Sequence, residues 1–284
     1  MTVSSLEALV ETCFPERSLV HVSRPDGGKL SETRLLELDD GRQLVCKYGG
    51  WNAWTGETIE PELTDWVERT LDLPVPALFD AGTIRTAAGE QRYGLYERLD
   101  GAPLSQQYRA LERSQRRAVV SAAGRLLGRL HSRTAAARVG GLTVDGDTLQ
   151  VRRSTRRQPV SDGTLAVLAS QGPATEQCRP VLTHGDYRPS NLLVAQQDPT
   201  AITGIIDWQN AHVTHDEYAL ARAEIRFVDR QPFGPSERSR LRNALREGYR
   251  SANELGSAYP DRAGLFKLLW LGSTLSFYLS TLGR

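Results

Sequence analysis

Two carboxylates and an amide that could act together lie in one short run and just beyond it. Asp186 and Asn191 belong to the run His184-Gly185-Asp186-Tyr187-Arg188-Pro189-Ser190-Asn191, and Asp207 follows sixteen positions after Asn191, ahead of Trp208. An aspartate, an asparagine and a second aspartate in this order suit phosphoryl transfer from Mg-ATP to a hydroxyl. The attacking hydroxyl needs a carboxylate within hydrogen-bond reach to orient it and take its proton, and Asp186 is the candidate. The phosphates carry several negative charges, so Mg²⁺ must be held against them by hard oxygen ligands. Asn191 and Asp207 supply such oxygens. A lone His-Gly-Asp would serve about as well as a tight turn, because Gly, Asn and Asp are turn residues. The chemical reading rests on all three polar groups falling in register with a hairpin.

The flanking pattern says what must position them. Val181-Leu182 leads into the loop, Leu192-Leu193-Val194 leaves it, and Ile202 to Ile206 precedes Asp207, with a turn at Asp198-Pro199-Thr200. This predicts strands whose ends carry the three polar groups towards one cleft, and Pro189 keeps the loop from becoming a helix. Further upstream, Arg42 to Tyr48 predicts a strand after the turn Asp39-Asp40-Gly41. Lys47 would point away from Cys46 and into a cleft; it is one of only three lysines against 32 arginines. A helix from Thr58, with Pro61 tolerated in its first turn, would align Leu63, Val67 and Leu71, with Glu60 on the same side. The segment Asp26 to Thr33 lies between strand-like Leu19–Ser23 and Thr33–Leu38. Its backbone around Gly28 and the Ser31 hydroxyl could cradle phosphate, although a simple hairpin explains it equally well.

These motifs resemble the aminoglycoside phosphotransferase and choline kinase-like family, small-molecule relatives of protein kinases. His184-Gly185-Asp186 and Ile206-Asp207-Trp208 are the forms typical of that branch, where protein kinases usually show HRD and DFG. The resemblance implies an α+β class and a bilobal, protein-kinase-like fold. A small N-terminal lobe of antiparallel sheet and one helix (residues 1–98) would join a larger, mainly helical C-terminal lobe (99–284), with ATP between them. It implies that Lys47 contacts the α and β phosphates and is held by a glutamate of the following helix. Glu60 is the choice, with Glu57 and Glu62 the alternatives. Adenine would bond to backbone groups of the strand Tyr93–Leu99, carried over as the carbonyl of Glu97 and the N–H of Leu99. The cofactors implied are ATP, with GTP as the alternative nucleotide, and Mg²⁺, and the partner is a small-molecule hydroxyl acceptor. His215 to Ala221 resembles the family's Gly-Asp-Pro…Asp-Leu-Ala segment and keeps Asp216, but Ala219 stands where a second aspartate is common, which puts the local geometry in question.

The remainder of the chain bounds the answer. With 284 residues, 39% hydrophobic and 24% charged, it suits one bilobal enzyme or two small domains. No leader pattern is visible at the start, and Cys13, Cys46 and Cys178 form neither a disulfide framework nor a metal pattern, so a reducing cytoplasm is expected. A helix ending at His131-Ser132 is predicted from Val119, Ala122, Ala123, Leu126, Leu127 and Leu130, with His131 structural. Residues 140–180, containing Arg152-Arg153 and Arg156-Arg157, read as irregular and solvated. Two closing helices are expected at 236–254 and 261–282; the apolar run Leu265–Leu279 is too short to span a bilayer and fits a core helix. No membrane partner is expected, nucleic-acid binding is disfavoured, and the oligomeric expectation is a monomer or weak homodimer. Residues 1–100 hold 10 Lys+Arg against 18 Asp+Glu, a net of −8, whereas 101–284 hold 25 against 16, a net of +9. Polycationic antibiotics prefer acidic pockets, so an aminoglycoside fits this large lobe poorly and a neutral or anionic acceptor comes equally into play. The competing readings are a nucleotide-binding regulator without turnover and a protein kinase.

Overall fold

Alternation of apolar and polar residues builds the N-terminal sheet. In the computed structural model, which describes residues 2–25, 31–52, 55–86, 89–152 and 178–282, five strands pair antiparallel in the order β1-β2-β3-β5-β4. They are β1 (Leu19–Ser23), β2 (Glu32–Leu38), β3 (Gln43–Tyr48), β4 (Leu78–Thr86) and β5 (Gly89–Glu97). One face buries Leu36, Leu38, Leu44, Cys46 and Leu95 against Leu6, Leu9 and Val10 of helix α1 (Val3–Cys13). The period of two that buries Leu44, Cys46 and Tyr48 turns Lys47 to the opposite side. There it meets α2 (Glu60–Thr70), which starts at Glu60 rather than Thr58, carries Pro61 in its first turn and buries Leu63 and Val67.

The strand expected at Tyr93–Leu99 runs instead from Gly89 to Glu97 and pairs along its length with β4. β4 is an edge strand without a fully buried residue, so its pattern gives little apolar alternation to read. After Glu97 the chain crosses to the second lobe. Gly101 has φ +122°, and a Cβ there would lie 2.6 Å from the Val194 carbonyl oxygen, so only glycine fits this crossing.

The C-terminal lobe is organised around α3 (Arg113–Ser132), whose first turn is closed by a reciprocal Glu112–Gln115 capping box. It packs on α5 (Pro235–Arg250) through glycines. A Cβ on Gly124 would lie 2.1 Å from the Leu245 carbonyl oxygen, and one on Gly248 would lie 1.9 Å from that of Ser121. Beside this pair lie a three-stranded sheet ordered β11 (Ile202–Ile205), β10 (Leu192–Val194), β6 (Ala102–Pro103), and a two-stranded ladder of β9 (Pro180–Thr183) and β12 (His212–His215). α4 (Asp216–Glu224) runs on into a π-helical turn, Ile225–Asp229, and α6 (Tyr259–Leu282) closes the chain.

Two expectations need correction. The start of the stretch read as irregular is a hairpin of β7 (Gly141–Asp145) and β8 (Thr148–Arg152). Its signal was present in the turn residues Asp145-Gly146, flanked by alternating Leu142, Val144, Leu149 and Val151; Arg153, Arg156 and Arg157 lie outside the described residues. Among the described side chains of the apolar run in α6, Phe266, Leu269 and Trp270 are buried, whereas Leu268 and Leu271 are exposed, so this part of the run is only partly core. Among the described residues no helix is long and apolar enough to cross a membrane.

Candidate active site

The loop carrying Asp186 is set by its neighbours. Gly185 has φ +80°, and a Cβ there would meet the Asn210 carbonyl oxygen at 1.8 Å, so the turn admits only glycine. His184 is fully buried. Its Nε2 lies 2.9 Å from the Ile206 carbonyl oxygen, and its Nδ1 is 3.2 Å from the backbone N–H of Asp186. An imidazole that donates at Nε2 and accepts at Nδ1 is neutral, and burial lowers its pKa, in keeping with that state. The ring thereby ties the Asp186 loop to the residue just before Asp207. Tyr187 adds a second anchor, donating its hydroxyl to the Ala123 carbonyl in α3 at 2.8 Å.

Pro189 does not leave the loop extended; it opens a single 3₁₀ turn, Pro189–Asn191, because its fixed φ suits the first position of such a turn. Asn191 donates from Nδ2 to the Asp186 carbonyl oxygen at 2.9 Å, while its Oδ1 accepts from Ser190 at 3.1 Å and keeps a lone pair. Asp207 follows β11 with φ +70°, the only positive φ at a non-glycine residue among those described. Its Oδ1 lies 3.0 Å from Lys47 Nζ. Burial pushes the Asp207 carboxyl up, but Lys47 beside it outweighs that, and the group lies below the usual carboxylate range.

Lys47 also meets Glu60, at 2.7 Å from Oε1. Burial lowers its pKa, yet the two carboxylates together raise it, so it is a fixed cation. Of the other two glutamates, Glu62 pairs with Arg92 and Glu57 is exposed. Glu97 holds the strand end: its N–H donates to the Ala77 carbonyl at 2.9 Å and its carboxylate accepts from the Ala77 N–H at 3.3 Å. Leu99 packs over Gly204, since a Cβ on Gly204 would sit 2.7 Å from Leu99 Cδ1. The Leu99 N–H donates to no backbone carbonyl among the described residues. Ser31 is half-buried at the head of β2, and Gly28 lies outside the described residues.

The structure adds residues the motifs did not single out. Arg188 Nε lies 2.9 Å from Asp186 Oδ2, and Arg226 Nη2 lies 3.1 Å from Oδ1. Neither contact is aligned as a hydrogen bond, so buried Oδ1 has no hydrogen-bond partner. Arg222 donates to the Gly185 carbonyl. Asn52 reaches across from the N-terminal lobe to the Gln209 and Ala211 carbonyls at 2.8 and 2.9 Å. Asp216 accepts from the N–H groups of Arg179 and Glu217, while Ala219 forms apolar wall in the cavity beside Asp186.

A family model for the phosphotransferase enzyme family (APH) matches residues 21–255. The chain belongs to that family. It is therefore a phosphotransferase. No curated protein matches it in sequence. Among solved structures it is similar to the amicoumacin kinase hAmiN in complex with AMP-PNP, Ca²⁺ and Ami, at 16% identity over 97% of this chain and 88% of that one, TM-score 0.67. It is also similar to the macrolide 2′-phosphotransferase MphH from Brachybacterium faecium, at 16% identity over 99% and 94%, TM-score 0.59. A third is a microcompartment-associated aminopropanol kinase, at 18% identity over 95% and 89%, TM-score 0.57. These likenesses show the fold, the bilobal kinase-like α+β architecture. In this phosphotransferase no three His, Cys, Asp or Glu side chains cluster as a metal cage among the described residues. Asn191 and Asp207 fit a hard cation that draws its remaining ligands from phosphate oxygens and water, as Mg²⁺ does.

Proposed function

We propose that this phosphotransferase moves the γ-phosphoryl group of Mg-ATP, with GTP as the alternative nucleotide, to a hydroxyl of a small molecule. The observation that carries the reading is Lys47, bound at once to Glu60 of its own lobe and to Asp207 of the other, which pins a cation at the cleft where a polyphosphate would lie. The lobes would part near residue 98, with adenine against the backbone at Glu97 and Leu99. The Ser31 hydroxyl and the backbone around Gly28 would cover the phosphates.

Lys47 binds and orients the α and β phosphates, and Glu60 holds it there. Asn191 and Asp207 would hold the Mg²⁺, which supplies charge neutralisation on the phosphate oxygens when bound. Asp186 Oδ1, buried and without a hydrogen-bond partner, accepts the hydrogen bond of the acceptor hydroxyl and then its proton. The acceptor oxygen forms the new bond to phosphorus as the bond from phosphorus to the β–γ bridging oxygen breaks. ADP leaves and the proton passes from Asp186 to solvent. Arg188, beside Asp186, faces the developing charge.

The test is incubation with Mg-ATP and Mg-GTP against a panel of hydroxylated small molecules, reading a gain of one phosphoryl group by mass spectrometry. Asp186→Ala should lower turnover by roughly 10²–10⁴-fold while AMP-PNP binding persists. Unchanged turnover in that variant would remove Asp186 from its role.

A further inference from the structure

Arg222, Arg226 and Arg230 recur every four residues along α4 and the π turn that continues it, which puts them on one side. Arg226 on that side pairs with Asp186, and Arg222 donates to the neighbouring Gly185 carbonyl. Arg226 and Arg230 stack over the Trp270 ring, at 5.1 and 5.9 Å from its centroid, and Arg222 lies 5.8 Å from that of Tyr218. Planar guanidinium groups held against aromatic faces can still turn N–H edges to a planar anion, although Arg222 already uses one N–H on the Gly185 carbonyl and Arg226 is paired with Asp186.

The acids of the same segment are already engaged elsewhere. Glu217 pairs with Arg262, Glu224 with Arg246 and Lys267, and Asp229 with Arg242 and Lys267. Among the described residues only Asp186 forms an ion pair with this arginine face, through Arg226, and it also carries Arg188. Two guanidinium groups thus pair with one carboxylate, and a third, Arg222, sits on the carbonyl of the residue before it. Arg226 shows the imbalance: burial, with Arg222, Arg188 and Arg230 around it, holds its pKa below the ordinary arginine value against the pull of Asp186. A cationic acceptor would meet repulsion here.

We propose that the acceptor carries an anionic group, a carboxylate or a phosphate, which Arg222, Arg226 and Arg230 bind beside Asp186. The inference rests on the phosphotransferase reading of this cleft and specifies its acceptor class. Arg226 would turn from Asp186 Oδ1 to the incoming anion, leaving Oδ1 to the acceptor hydroxyl. The bound anion and the reacting hydroxyl would sit within a few bonds of each other, because Arg226 touches both places.

The experiment compares hydroxyl compounds that share a framework and differ in charge: hydroxy acids, sugar acids and sugar phosphates, each beside its neutral alcohol or amide and its amine. Gluconate and glucose 6-phosphate against glucose and glucosamine form one such set. Phosphorylation with Mg-ATP is expected for anionic members ahead of their neutral and amine counterparts, and the carboxylate and phosphate arms identify which anion is bound. Arg230→Gln, exposed and away from the Asp186 contacts, should raise the acceptor KM by about 10- to 100-fold, with the KM for ATP unchanged. Arg230→Glu should move the preference towards the amine. A panel in which no anionic member outruns its counterparts overturns the proposal, as does an Arg230→Gln effect confined to ATP. AMP-PNP binding, measured in parallel, separates the two levels: no nucleotide binding and no phosphorylated product would sink the phosphotransferase cleft itself.

Discussion

Glu60 accepts, on the same Oε1 that binds Lys47, a 3.1 Å hydrogen bond from the backbone N–H of Trp208, the residue after Asp207. One carboxylate of the N-terminal lobe therefore holds both the lysine and the backbone next to the metal-ligand candidate. Its side chain is 8% exposed, so truncation leaves a buried lysine short of a partner. Glu60→Ala is expected to lower unfolding stability by about 3–5 kcal/mol, read as a lower denaturant midpoint. Glu60→Gln, which keeps an oxygen for Trp208, should recover part of it.

Nucleotide binding should depend on the divalent ion through Asp207. With nucleotide at about a hundred times its dissociation constant, stabilisation should be about 2.7 kcal/mol, seen as a rise in melting temperature that chelation abolishes. Asp207→Ala should remove the magnesium-dependent part of that rise. A full shift retained in the variant would place the metal on other groups.

The α3–α5 contact leaves no room for a side chain. Gly248→Val would drive atoms into the Ser121 carbonyl, where even a Cβ lies at 1.9 Å. Because the obstacle is backbone, the helices must separate, and a loss of about 3 kcal/mol or more is expected by thermal or chemical denaturation. Tyr187 of the Asp186 loop is bonded to α3 at Ala123, so turnover should fall even in molecules that remain folded.

Acidification should destabilise the fold through two buried histidines. His131, bonded to the Tyr249 hydroxyl at 2.9 Å, and His212, bonded to the Asn210 carbonyl at 2.8 Å, are both buried, and burial lowers each pKa from 6.5 to about 3. Between these values the unfolded chain binds protons that the folded chain does not. Stability therefore rises with pH through this window, and falls as pH drops from about 6.5 towards 3. At pH 5 the loss is up to about 2 kcal/mol per histidine. His131→Gln should flatten the pH dependence of the denaturant midpoint; an unaltered slope would show that His131 does not carry it.

Much of the framework was legible because it is local. Strand alternation located Leu19–Ser23 and the strand of Lys47, helical spacing located α3, and the order Asp186, Asn191, Asp207 followed from loop and strand ends close in the chain. The edge strand β4 was not legible, since a half-exposed strand carries little apolar pattern. The hairpin of β7 and β8 was marked by Asp145-Gly146 and a short alternation on either side, and was lost among neighbouring arginines.

Local patterning places residue types at the strand ends, because a period of two or of about four residues is fixed by backbone geometry. Their partners are set by how the elements pack against one another. Helical spacing put Glu60 on the apolar side of its helix without excluding Glu57 or Glu62; the orientation of α2 towards β3 and β11 brings Glu60 to Lys47. The arginine spacing of α4 was not singled out in the sequence, and its meaning depends on the acids of the segment finding Arg242, Arg246, Arg262 and Lys267. Electrostatic balance at a site is a sum over groups far apart in the chain, and folding sets that sum.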